Sequence, residues 1–103
     1  MEAGFAERDI TPPVGSERPG GYVKNFHRDV HDACKVRAGV FGDGSQRVAL
    51  VGIDALLIRG AVVEAARKRI EAQCGIPGTN VMVAASHSHS AGPTGMVQPG
   101  EYD

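Results

Sequence analysis

Four stretches of the chain carry a hydrophobic pattern with a clear period, in the order strand, strand, helix, strand. From Ala33 to Phe41, Cys34, Val36, Ala38 and Val40 alternate with Lys35, Arg37 and Gly39. This is the period of a strand with one covered face. Gly42-Asp43-Gly44-Ser45 reads as a turn. Arg47 to Ile53 is almost continuously apolar, which predicts a central strand covered on both faces. Together the two strands predict a hairpin. Between Arg59 and Cys74, the residues Val62, Val63, Ala66, Ile70 and Cys74 recur at three- and four-residue steps, the spacing of one helix face. Glu64 and Lys68 fall off that stripe as a favourable i,i+4 pair. Gly75 suits the left-handed residue that ends a helix, and Pro77 prevents continuation. Asn80 to Ala85 is a further apolar strand. A weaker strand pattern runs from Gly4 to Thr11, where Pro12-Pro13 ends it.

Strand, helix, strand predicts a βαβ unit with parallel strands and a right-handed crossover. The expected fold class is therefore α/β: a β-hairpin followed by a βαβ unit, within a larger mixed-sheet domain. The segment Val14 to Asp32 has no period and is rich in Gly, Pro and charge. Long irregular segments in compact domains are functional or disordered. A surface loop and a pocket-lining segment are both open readings here; Tyr22, Phe26, His27 and His31 favour the second.

Composition narrows the picture. With 103 residues the chain is one domain or part of one, and five aromatic residues leave any core to Val, Ile, Leu and Ala. The formal net charge of −1 gives no electrostatic case for nucleic acid or an anionic membrane as partner. Cys34 and Cys74 match no metal-binding spacing, and both sit among apolar residues, which predicts two buried thiols. No run approaches the about 18 apolar residues of a membrane span. The first nine residues lack the basic and apolar regions of a secretory signal. A cytoplasmic location is the simplest expectation, with secretion left open if a leader precedes the sequence.

The chemistry concentrates after the last strand, in Asn80-Val-Met-Val-Ala-Ala-Ser-His87-Ser-His89-Ser-Ala-Gly-Pro93-Thr-Gly95. In a βαβ unit the C-terminal ends of both strands share one sheet edge, where open α/β folds place ligands. Asp54 ends the first strand and His87 to His89 end the second, which brings a carboxylate and two imidazoles to that edge. Residues two apart in extended chain lie about 6.6 Å apart on the same side. Two imidazoles at that spacing can share an ion, or divide metal and substrate between them. A catalytic zinc takes three protein ligands and keeps a position for water, so the pair alone is an incomplete set. The ordinary reading, two hydrogen-bonded or solvated loop histidines, stands equally open. Ser86, Ser88 and Ser90 alternate with the histidines and point away from them in extended chain. They read as turn-stabilising hydroxyls rather than nucleophiles, and no Gly-X-Ser-X-Gly elbow is present. Arg37 is by default a surface charge, and Asp54 serves equally well as a cap on the following turn. No phosphate-binding glycine motif is present.

Several segments together carry a resemblance: Asp9-Ile-Thr-Pro-Pro, a Gly-Tyr pair, His31 six residues before Arg37, an apolar strand ending in Asp54, and the double-histidine segment. In this order they resemble the start of the catalytic domain of the neutral/alkaline non-lysosomal ceramidases and their shorter bacterial relatives. The family hallmark is Thr-His-Thr-His-Ser-Gly-Pro after an Asn-Val strand. Here Ser replaces Thr and Ala91 is inserted before Gly92. The resemblance implies that residues 1–103 are the N-terminal portion of a ceramidase-like catalytic domain. It implies a zinc-dependent amidohydrolase that splits the N-acyl bond of ceramide into sphingoid base and fatty acid. It implies zinc as cofactor, with His87 as a ligand and His89 beside the zinc at the substrate. Asp54, Arg37 and His31 match residues near the site. A further His, a Glu and a Tyr that complete the family's coordination are expected beyond Asp103. The implied partner is a small N-acyl amide or lipid. The alternatives are a metallohydrolase acting on a non-lipid amide, and a non-catalytic α/β module.

Overall fold

The computed structural model describes residues 1–93. Thr94 and Gly95, the last two residues of the double-histidine segment, lie outside the described residues. Six strands, one helix and a short 3-10 turn are formed: β1 (Glu2–Asp9), β2 (Glu17–Arg18), β3 (Asn25–Phe26), β4 (Lys35–Gly42), β5 (Arg47–Ile53), α1 (Gly60–Cys74) and β6 (Val81–Ala85), with the 3-10 turn at Gly78–Asn80. The main sheet has the order β1-β4-β5-β6, and β2 and β3 form a separate small hairpin. β1–β4 and β4–β5 are antiparallel, whereas β5–β6 is parallel, Gly52 pairing Ala84 and Ile53 pairing Ala85. The mixed α/β architecture, the hairpin and the βαβ unit are those expected from the pattern.

Local chemistry fixes the element ends. In the β4–β5 turn, Asp43 Oδ1 accepts from the amides of Ser45 and Gln46 at 2.9 and 2.8 Å. Gly75 has φ 71° and its amide donates to Glu71 O, the left-handed helix stop anticipated at that position. At the end of β1, the amide of Thr11 donates to Asp9 Oδ1 at 2.8 Å, and the Thr11 hydroxyl accepts from the Cys34 amide at 3.0 Å. The Asp-Ile-Thr motif is thus a latch that ties the end of β1 to the start of β4.

The core lies on one face of the sheet. Ala49, Val81 and Ile76 are buried, with Val40, Val51, Val83 and Ile70 packed against them. The other face carries Phe5, Leu50 and Met82, which are 76%, 50% and 61% exposed. This corrects the expectation that β5 is covered on both faces. The single helix among the described residues covers one side only, and an apolar run by itself does not distinguish a strand with one covered face from a strand with two. Across the open face Phe5 and Phe41 meet edge to face, 5.7 Å between centroids.

Three smaller expectations change as well. The half-buried helix positions are Val63, Ala66, Arg67 and Ile70, while Val62 is 49% exposed. Cys34 is buried but Cys74, at the last turn of α1, is exposed, so only one thiol is interior. Glu64 pairs with Arg67 at 2.8 Å rather than with Lys68. Arg67 is held there because its Nε also donates to Val81 O across the helix–sheet contact.

Two outcomes follow. Ile76→Ala removes a buried side chain from the one-sided core and lowers stability by about 2–5 kcal/mol in denaturant titration. The carboxyls of Glu7, Asp9 and Asp43 are all held below their ordinary range, by Lys35, by Thr11 and by the Gln46 and Ser45 amides respectively. A carboxyl lowered in the folded state contributes stability above its unfolded value of about 4, and loses it as pH falls through the lowered value. Stability therefore declines on the acid side, and Asp43→Asn makes that decline shallower in thermal melts run across pH.

Candidate functional site

β5 and β6 run side by side, and the pairing does not stop where the strands do. Ser86 N donates to Ile53 O at 3.0 Å and Ser88 N to Ala55 O at 3.1 Å. The segment after β6 is therefore clamped to the segment after β5. Ala55 and Leu56, 1% and 4% exposed, are the buried anchors of that clamp. Between the two backbone bonds sits His87, the described non-glycine residue with positive φ, at 64°. Left-handed backbone costs an L-residue on the order of 1–2 kcal/mol. It turns the chain at the strand end, so the segment is kinked rather than extended as its sequence suggested.

His87 Nδ1 lies 2.9 Å from Leu56 O. A carbonyl only accepts, so Nδ1 carries the proton and donates. In the neutral ring that leaves the lone pair on Nε2, the form in which imidazole binds metal. The His89 ring meets the His87 ring edge to face, 4.9 Å between centroids and 86° between planes. His87 fits the role of one metal donor. The described residues hold no group of three His, Cys, Asp or Glu able to close a coordination sphere.

Asp54 lies on the same edge, as the topology required, but its bonds go elsewhere. Oδ2 accepts from the Lys35 amide at 2.9 Å, Oδ1 accepts from the Ser86 hydroxyl at 3.2 Å, and Arg37 Nη1 lies 3.6 Å from Oδ2. The carboxylate joins the start of β4, the end of β5 and the residue before His87. Arg37 also bonds Glu7 at 3.2 Å, in a half-exposed chain of charges along the sheet end. His31 points into solvent, 97% exposed, with Asp32 at 4.0 Å. The structure thus gathers His87, His89 and Asp54 at one edge and leaves His31 at the rim.

The Val14 to Asp32 segment folds over this edge. The β2–β3 hairpin is extended by His27 N to Ser16 O and Gly15 N to His27 O, both 2.8 Å. Between this segment and the strand ends lies a cavity of about 680 Å³, lined among others by Thr11, Arg18, His27, Asp54, Ser88 and Ser90. His27 Nε2 donates to Ala91 O at 2.9 Å, and Arg18 Nη2 donates to Ser90 Oγ at 3.3 Å. Ala91 is 1% exposed. Ala91, the residue inserted relative to the double-histidine motif, is therefore the buried point where the loop is fastened. Ser88 Oγ accepts from Ser90 N at 3.2 Å, the turn-stabilising role read for these hydroxyls. Cys34 Sγ faces Ser90 O at 3.7 Å. Burial, then the charges of Asp54 and Asp9, pushes its thiol up, away from nucleophilic use. Sequence periodicity could not find His27 as a fastening group, because its partner lies 64 residues away.

No family model matches the chain, and no curated protein matches it. Solved structures do. One is described as a ceramidase complexed with C2, at TM-score 0.76 and 28% identity, covering 88% of this chain and 15% of that one. Another is neutral ceramidase from Pseudomonas aeruginosa, at TM-score 0.69 and 29% identity, again covering 88% and 15%. Both of these structural neighbours are ceramidases, and the second is named as a neutral ceramidase. The sequence given spans about 15% of the length of those solved ceramidases. Among the described residues no helix is long and apolar enough to cross a membrane.

Because Asp54 supports His87 through the Ser86 position and the Lys35 amide, Asp54→Ala leaves a half-buried amide and a hydroxyl without their acceptor. The expected loss is about 1–3 kcal/mol of stability, read by denaturant unfolding.

Proposed function

We propose that the protein to which this sequence belongs is a ceramidase-like zinc amidohydrolase, and that residues 1–103 supply the first part of its catalytic domain. The observation that carries this reading is the His87 imidazole. Its Nδ1 proton is committed to Leu56 O and its ring meets that of His89 edge to face, in a chain with ceramidases among its structural neighbours. The remaining donors, a His, a Glu and a Tyr by resemblance, belong to sequence beyond Asp103. The short share of the relatives' length that this chain spans supports that assignment.

When bound, zinc lowers the pKa of its water toward about 7 and polarises an amide carbonyl. This chain's own residues do the holding and orienting. His87 offers Nε2 to the metal, and the Leu56 carbonyl fixes its tautomer and direction. His89, within one ring's width of His87, orients the amide and donates to the oxyanion that develops on its carbonyl oxygen. Asp54 and the Ser86 and Ser88 amides hold the segment so that neither imidazole has to be reorganised. Arg37 acts through Asp54.

The substrate proposed is an N-acyl amide of the ceramide type, giving a sphingoid base and a fatty acid. A non-lipid N-acyl amide is the second reading. It is favoured by the polar wall of the cavity that adjoins the histidine segment at Ser88 and Ser90, where Arg18, Arg28, Asp29 and Asp32 take part.

Zinc quantification on protein from the intact reading frame tests the metal. His87→Ala is expected to weaken zinc binding by more than the about 100-fold typical of losing a ligand's supporting hydrogen bond, and to abolish amide hydrolysis. Undiminished zinc removes His87 from the site. Residues 1–103 alone are expected to be inactive, and robust hydrolysis by them overturns the assignment of the missing donors. A panel of N-acyl sphingosines and N-acyl amino acids separates the two substrate readings.

A further inference from the structure

The loop that covers the sheet edge touches His89 at a position that carries no side chain. Gly20 has φ +93°, and a Cβ built on it stands 2.5 Å from His89 Nδ1, 2.9 Å from Cε1 and 3.1 Å from Cγ. Carbon atoms do not approach that closely, so the imidazole occupies the space a side chain at position 20 would take. On another side the ring is met edge to face by His87. The loop is pressed into this position by neighbours of Gly20: Pro19 is buried, and Arg18 bonds the hydroxyl of Ser90, the residue after His89.

Other glycines of the same loop show that this is not a general need for flexibility. Gly15 has nearly the same φ, +98°, but nothing lies within 4 Å of its Cβ position. At Gly21 the nearest atom to a Cβ is Val23 O at 3.4 Å, an ordinary contact. Among the described glycines, only Gly20 combines left-handed backbone with a ring in contact.

We propose that Gly20 is a positioning residue for His89: its bare backbone is the surface against which the substrate-side imidazole is set. The inference rests on the reading of His89 given above. It says that the direction of the His89 ring is fixed from outside its own segment, by the loop. That loop then controls catalysis without contributing a reacting group.

The test uses protein from the intact reading frame, with Gly20→Ala and Gly15→Ala as a matched pair. Both place a Cβ on left-handed backbone, but only the first meets His89. Gly20→Asn carries the same Cβ with a residue that tolerates left-handed backbone, and serves if Gly20→Ala does not fold. The first readout is the His89 ring Cε1–H signal in histidine-labelled protein, identified by its loss in His89→Ala. It is expected to shift in Gly20→Ala and Gly20→Asn, and to stay in place in Gly15→Ala. The second is kcat on a short-chain N-acyl sphingosine at unchanged zinc content. A displacement near 1 Å lowers kcat on the order of 100-fold, whereas in the His89→Ala background Gly20→Ala is expected to have less than about a twofold further effect, as for residues acting as one unit. An unmoved His89 signal in the position-20 variants overturns the proposal, as does a full additional loss in the His89→Ala background. Full activity in His89→Ala overturns the earlier reading of His89 instead, and the ring signal still decides whether Gly20 sets it.

Discussion

The structure depends on a hydrogen-bond ladder that outlasts its strands. β5 and β6 pair in parallel through Ile53 and Ala85, and the pairing continues as Ser86 N to Ile53 O and Ser88 N to Ala55 O. The same few residues then satisfy His87, whose Nδ1 donates to Leu56 O. Without this continuation, the chain after β6 is an ordinary Gly/Pro loop and its histidines have no fixed direction. With it, the left-handed backbone of His87 becomes tolerable. Its cost of about 1–2 kcal/mol is offset by bonds on both sides and by a side-chain bond to a buried carbonyl. The site is therefore rigid for the same reason that the sheet is.

A second constraint works at the same sheet edge, through the end of β1 and the start of β4. Asp9, Thr11 and the Cys34 amide latch β1 to β4, and Asp54 holds the Lys35 amide one residue further on. These bonds fix where the intervening segment leaves and re-enters the sheet. The segment must then close over the strand ends, and His27 to Ala91 O and Arg18 to Ser90 fasten it there. Gly92 meets Pro12 closely enough that a Cβ would stand 3.2 Å from the proline ring carbon. The segment that follows β1 and the segment that follows β6 thus meet beside one cavity.

The sheet was legible in the sequence because burial on one face imposes a period of two on β4, and the helix because Gly75 and Pro77 punctuate it. The parallel pairing followed from element order alone, and with it the edge that gathers Asp54, His87 and His89. What was not legible depends on partners far away in sequence. An apolar β5 looks the same whether one face or both are covered, and only the placement of α1 shows that Leu50 faces outward. His27 and Gly20 lie in a segment without a period, because their positions are set by Ala91 and His89 rather than by a repeating backbone. The kink at His87 had no signal in residue type, since histidine carries no strong preference for left-handed backbone comparable with that of glycine.

This division bears on how the two histidines are to be understood. His-X-His in a flat strand would give two equivalent side chains on one face, competing for one ligand. The kink at His87 and the contact at Gly20 make them inequivalent. One imidazole is tied by its own nitrogen to the sheet layer; the other is set by ring contact between His87 and the covering loop. A group tied by a directional bond keeps its lone pair aimed, which is what a metal requires. A group held only by shape can exchange its hydrogen-bond partners as charge develops, which is what a substrate-side donor requires. The separation of roles proposed for His87 and His89 is compatible with how each ring is held.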